Sequence, residues 1–139
     1  MYAVGAEHPL KGPCGRILIL IAEHPSMFIT DAEVLQELIH RYLAQRRWAD
    51  GQAVFRRFAV LMRDRVESIR GSDVEQAAAL ADSYPELAPR DLLHAAVMQR
   101  LGVQQITSAD AGFDHIAGID RLDPGMLPVW EASVRAVAG

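Results

Sequence analysis

Four acidic residues in this 139-residue chain have the types and placement to do chemistry: Glu37, Asp91, Asp110 and Asp114. Several other acids have ordinary structural explanations. Thr30-x-x-Glu33 and Ser72-x-x-Glu75 are capping-box patterns, in which the glutamate reaches back to the cap amide. Asp31 and Asp73 fall in first helical turns, where a carboxylate favours the positive end of the macrodipole. Glu37 lies one turn beyond Glu33, beside an apolar stripe. A carboxylate there must be solvated, paired or metal-bound. Asp91 opens a helix after Pro89-Arg90, and Asp110 and Asp114 follow the run Val103–Thr107. Taken singly, each also fits a plain role: a boundary side chain reaching water, a helix N-terminus acid, two loop acids. Taken together, three βα-type junctions carry acids with no obvious basic partner. Hard oxygen ligands of this kind suit Mg²⁺ or Mn²⁺. Such ions activate water and offset the charge of a phosphodiester.

The elements that must position these acids alternate between short apolar runs and helical patterns. Pro9–Glu23 has helical spacing at Leu10, Cys14, Ile17, Leu18 and Ile21, although Ile17–Ile21 fits a buried strand equally well. Met27–Thr30 reads as a short strand. A helix follows from Thr30, with Ala32, Leu35, Leu38, Ile39 and Tyr42 as its inward stripe. A second helix is predicted from about Asp50 to Arg63. Val66–Ile69 alternates like a strand, and Ser72 to about Tyr84 reads as a helix. Pro89 suits a first helical turn and Gly102 a helix stop, which brackets a helix over Asp91–Leu101. Val103–Thr107 and part of Ile116–Leu122 complete the strands, and Met126–Gly139 is expected to be helical. This βα alternation predicts an α/β fold with a mostly parallel central sheet flanked by helices. Sites in such sheets form beyond the carboxyl ends of the strands.

Composition narrows the class. Half the residues are hydrophobic and 23% are charged, which excludes a disordered chain. No apolar run approaches the length of a membrane span, and Met1–Leu10 lacks the pattern of a secretory signal. The expectation is a cytoplasmic protein of one domain. Cys14 is the only cysteine, which excludes an internal disulfide and a cysteine-rich zinc site. His8, His24, His40, His94 and His115 have no zinc-binding spacing, and G-x-S-x-G, P-loop and G-x-G-x-x-G patterns are absent. His94 shares a helical face with Asp91, where a satisfied, partly buried histidine is the expectation.

The net charge of −4 is unevenly spread. Residues 41–70 carry eight arginines against Asp50, Asp64 and Glu67, a net +5, whereas residues 72–123 are net −6. Arg46-Arg47-Trp48 and Phe55-Arg56-Arg57-Phe58 mix cations with aromatics. That pattern suits a phosphate backbone, or simply two amphipathic helices with a solvated arginine face.

Three segments carry a resemblance. Ile29–Glu37, Pro89–Ala96 and Ile106–Asp110 with Phe113-Asp114 resemble the PIN-domain family, and within it the VapC-type toxins. Gly118–Pro124 is similar to the family's ending. The likeness spans residues 1–124, with 125–139 a C-terminal tail outside it. The resemblance implies a Mg²⁺- or Mn²⁺-dependent ribonuclease that is the toxin of a type II toxin–antitoxin pair. It implies Glu37, Asp91 and Asp110 as catalytic metal ligands and Asp114 as a further ligand or supporting acid. Thr107 or Ser108 would hydrogen-bond a carboxylate or a metal-bound water. The implied partners are an RNA substrate, a cognate antitoxin protein and a second copy of the chain in a homodimer, with the Arg41–Arg70 stretch available for RNA or antitoxin. One departure concerns the start. The family opens with a strand ending in Asp, before a segment like Tyr2-Ala3-Val4. The expectation here is an omitted upstream strand. The alternatives are a catalytically inactive PIN-like module that binds RNA or protein, and an unrelated α/β ligand-binding domain whose acids are caps and surface groups.

Overall fold

The computed structural model describes Ala3, Gly5 and residues 7–139. The expected opening of the chain falls on Met1, Tyr2, Val4 and Ala6, outside the described residues. The chain divides into two compact units, Met1–Glu67 with Leu127–Gly139, and Ser68–Met126.

In the first unit, the ambiguous apolar run is a helix, α1 (Lys11–Glu23). Ile17, Leu20 and Ile21 are buried while Ile19 is 57% exposed, the one-sided pattern of an amphipathic helix. The strand expected over Met27–Thr30 shrinks to β1 (Thr30–Asp31), because a 3₁₀ turn at Pro25–Met27 consumes amides that a ladder would use. Met27 N donates to His24 O and Phe28 N to Pro25 O. Helix α2 (Ala32–Ala44) is capped by Asp31 rather than Thr30. The Asp31 side chain accepts from Val34 N at 3.2 Å. Thr30 is a ladder residue, so the helix starts one position later and the predicted Thr30–Glu33 box does not form. Helix α3 (Trp48–Leu61) follows, then β2 (Val66–Glu67), which pairs parallel with β1. Arg65 braces this connection, its guanidinium donating to the carbonyls of Pro25, Phe28 and Leu61. Between α2 and α3, a Cβ on Gly51 would lie 2.3 Å from Tyr42 Cγ. Only glycine permits that approach.

The second unit contains α4 (Gly71–Ser83), α5 (Pro89–Leu101), β3 (Gln105–Thr107) and β4 (Asp120–Leu122), with β3 and β4 parallel. Helix α5 stops at Gly102 in the left-handed region, φ +68°, as its C-terminal glycine predicts. Ala95, Met98, Phe113, Ile116 and Ile119 form the core. The predicted Ser72–Glu75 box does not form, because α4 begins at Gly71. Asp73 takes the glutamate's place and accepts from Arg70 N at 2.8 Å. Asp73 is 2% exposed and meets Arg100 of α5 through two hydrogen bonds of 2.8 and 3.0 Å. Arg100 also donates to Ser68 O. The Arg100 hydrogen bonds hold the Asp73 carboxyl below its ordinary range against the cost of burial.

The last helix, α6 (Leu127–Ala138), belongs to the first unit. It buries Leu127 and Trp130. Glu131 pairs with Arg16 at 2.6 Å, and Arg135 with Glu23 at 2.8 Å. Both strand pairings are parallel, as the βα alternation predicts, although each strand is only two or three residues long. No helix among the described residues is long and apolar enough to cross a membrane.

Gly51→Ala should destabilise the fold by about 1–3 kcal/mol, the cost of overpacking, measured by urea unfolding. Asp73→Asn should cost about 3–5 kcal/mol at pH 7, since it leaves Arg100 without its buried counter-charge. A carboxyl held below its ordinary value stabilises above that value, and the contribution is lost as pH falls through the folded pKa. The variant should therefore show a shallower acid limb in a pH series of unfolding curves.

Candidate active site

Asp91 stands in the first turn of α5. Pro89 opens that turn with a fixed φ and no amide to satisfy, and Asp91 N donates to Ala88 O at 3.0 Å. Asp110 follows β3 and caps a short 3₁₀ turn, Ala111–His115, through its side chain on Gly112 N at 2.8 Å. The Asp110 amide in turn donates to Ser108 Oγ at 3.0 Å. Ser108 thus fixes the loop backbone that carries Asp110. Thr107 ends β3 opposite Leu122.

These placements bring the Asp91 and Asp110 carboxyls within hydrogen-bonding reach of each other. Partial burial, the Asp110 charge and the hydrogen bond to it push the Asp91 carboxyl up to about 6, against the opposing charges of His94 and Arg90. Two carboxyls so close cannot both ionise freely, so Asp91 takes up a proton at a higher pH than a free aspartate does. His94 lies on the same face of α5, and its charge opposes the rise at Asp91.

Asp114 has a different partner. Arg121 of β4 grips both its oxygens, at 2.9 and 3.0 Å. Hydrogen bonding to Arg121 holds Asp114 below the usual carboxylate range. Arg121 also donates to Ser108 O at 3.2 Å and lies 3.3 Å from Asp123. The parallel register sets Arg121 opposite Ile106, two residues before Ser108. Arg121 thereby ties β4 to the loop after β3, a role that the order of residues along the chain does not reveal.

Glu37 lies in the other unit, on α2, partly buried and 3.2 Å from Arg41. The expectation that the acids lack basic partners therefore fails for Glu37 and Asp114. The first partner was visible at i+4; the second depends on strand pairing. Among the described residues, no three of His, Cys, Asp and Glu gather in an arrangement that could hold a metal ion. The Asp91–Asp110 pair is nonetheless suited to a hard divalent cation, since Mg²⁺ commonly binds through one or two carboxylates and keeps several waters.

The family model of the PIN domain matches residues 3–119. Ribonuclease VapC13 of Mycobacterium tuberculosis is 41% identical over 122 residues, covering 88% of this chain and 92% of the relative. Ribonuclease VapC23 of the same species is 37% identical over 115 residues, 83% of this chain and 86% of the relative. Ribonuclease VapC7, also from that species, is 30% identical over 124 residues, 89% and 86% of the two chains. No solved structure matches significantly.

A carboxyl raised from 3.8 to about 6 leaves the folded state holding more protons than the unfolded one between those values. Stability therefore falls as pH rises across that window. In EDTA, Asp91→Asn should raise the melting temperature at pH 8, and the gain should shrink towards zero near pH 4. A gain independent of pH would refute the repulsion.

Proposed function

The chain belongs to the PIN-domain family, and from that premise we propose that it is a divalent-metal-dependent ribonuclease, the toxin of a toxin–antitoxin pair. The observation that carries the reading is the Asp91–Asp110 pair: two carboxyls brought together on a helix N-terminus and a strand-end loop. The matches to VapC ribonucleases over most of both chains support the same reaction class.

In this reading, Asp91 and Asp110 hold Mg²⁺ or Mn²⁺ through hard carboxylate oxygens. The bound cation would activate water and offset the charge of the phosphodiester. The Asp91 carboxyl is pushed up to about 6, so a proton and a metal ion compete for its oxygens and metal binding releases the proton. Ser108 positions Asp110 through its amide. Arg121 positions the loop while neutralising Asp114, which makes Asp114 a supporting acid. Glu37 enters the reading through its motif, as a further candidate ligand. The corresponding partners are RNA as substrate, a cognate antitoxin protein as inhibitor, and a second copy of the chain. The corresponding compartment is the cytoplasm.

The test is cleavage of bulk cellular RNA by the purified protein with Mg²⁺ or Mn²⁺ and with EDTA. Cleavage should require the metal. Asp91→Asn should reduce it at least about a hundredfold, the scale on which loss of one charge-stabilising group acts. Mg²⁺ should also raise the wild-type melting temperature at pH 8, and do so less at pH 5. Undiminished cleavage by the variant would refute the role of Asp91. RNA binding without cleavage would make the protein a non-catalytic module instead.

A further inference from the structure

The eight arginines between residues 41 and 70 do not share one purpose. Arg41 pairs with Glu37 and Arg47 with Asp50. Arg65 is spent on backbone carbonyls. Arg70 lies in the second unit beside Asp73. The guanidinium groups of the other four, Arg46, Arg56, Arg57 and Arg63, enter none of the ion pairs or hydrogen bonds among the described residues, and all four residues are exposed. Arg46 sits in the turn before α3 with φ +55°. Arg56 and Arg57 stand on α3, and Arg63 lies just past its end.

No acid occurs between Asp50 and Asp64. Gln52 and Ala53, a turn before Arg56, are exposed and uncharged. Arg56, Val60 and Arg63 follow at helical spacings of four and three, and Val60 is 61% exposed. The stretch from Gly51 to Arg63 therefore carries exposed positive charge without an acid of its own. The aromatics interleaved with the arginines offer no open platform for bases. Trp48, Phe55 and Phe58 are half-buried, and the Trp48 and Phe55 rings pack on each other with centroids 6.4 Å apart. Exposed cations without exposed rings suit contacts to phosphates, which hold a strand without reading its sequence.

We infer that Arg46, Arg56, Arg57 and Arg63 form a contact surface for the phosphate backbone of RNA, on the outer side of α3. This deepens the ribonuclease reading and rests on it for the substrate class. The surface would supply affinity without base recognition.

The test is binding of a labelled mixed-sequence single-stranded RNA, followed by fluorescence anisotropy in EDTA across a salt series. R56Q/R57Q should weaken binding about tenfold or more. It should lower the slope of log affinity against log salt by about 1.4, at roughly 0.7 per lost phosphate contact on a single strand. R46Q/R63Q should act in the same direction. The charge-matched control R16Q/R135Q, which alters arginines already paired with Glu131 and Glu23, should leave affinity within about twofold. Circular dichroism melts verify that each variant folds. Equal losses from the α3 pairs and the control, or no loss from the α3 pairs, would overturn the inference. So would absence of RNA binding by the wild type. If the α3 pairs bind RNA normally while Asp91→Asn abolishes cleavage, the inference fails and the ribonuclease reading stands. If the α3 pairs lose RNA while Asp91→Asn leaves cleavage intact, the surface stands and the assignment of the acid pair fails.

Discussion

A charge withdrawn from water must be answered, and how each carboxylate is answered organises this protein. Asp73 is the most deeply buried acid, and Arg100 meets it with two hydrogen bonds. Desolvating such a pair is costly, so its geometry must be good. The Arg70 amide completes the coordination and fixes where α4 begins. One ion pair thus sets α4 against α5, and the N-terminus of α5 carries Asp91. Asp31 is answered in a different way, by the Val34 amide, and in doing so starts the helix that bears Glu37.

Against that background the Asp91–Asp110 pair is the exception. Asp114 meets Arg121 and Glu37 meets Arg41, but Asp91 meets another acid. Two like charges side by side cost stability, and a fold retains such an arrangement only when its surroundings determine it. Here Pro89, the Ser108 hydroxyl and the Arg121 bridge hold the carboxyls in place. A carboxyl raised by partial burial and a neighbouring acid is the pattern of a functional site. A divalent cation would convert the repulsion into attraction.

The arginines divide along the same principle. Those committed to acids or carbonyls belong to the framework, and Arg65 shows the extreme case, bracing three carbonyls around β1. Those on the outer side of α3 remain in water, at little energetic cost. Net charge blends the two populations, which is why the value of −4 describes neither.

Much of the fold was legible in the sequence. Helical periodicity, Pro89, Gly102 and the βα alternation located α2 to α6 and the parallel pairing, while α1 stayed open between helix and strand, because these signals depend on local sterics and on burial of one face. The motif segments Ile29–Glu37, Pro89–Ala96 and Ile106–Asp114 likewise pointed to the family before any geometry. Element edges were less legible. The first helix cap lies one residue beyond the Thr30–Glu33 pattern, at Asp31, and the second box two residues before the Ser72–Glu75 pattern, at Arg70 and Asp73, because Thr30 is taken up by the β1–β2 pairing and Asp73 by Arg100. The tertiary structure alone decided that Asp73 and Asp114 have cations, since Asp73–Arg100 and Asp114–Arg121 span 27 and 7 residues. It also decided that Asp91 and Asp110, 19 positions apart, lie side by side, which raises the Asp91 carboxyl. Electrostatic interaction depends on distance through space and on exclusion of water, and neither quantity is written in the order of residues along the chain.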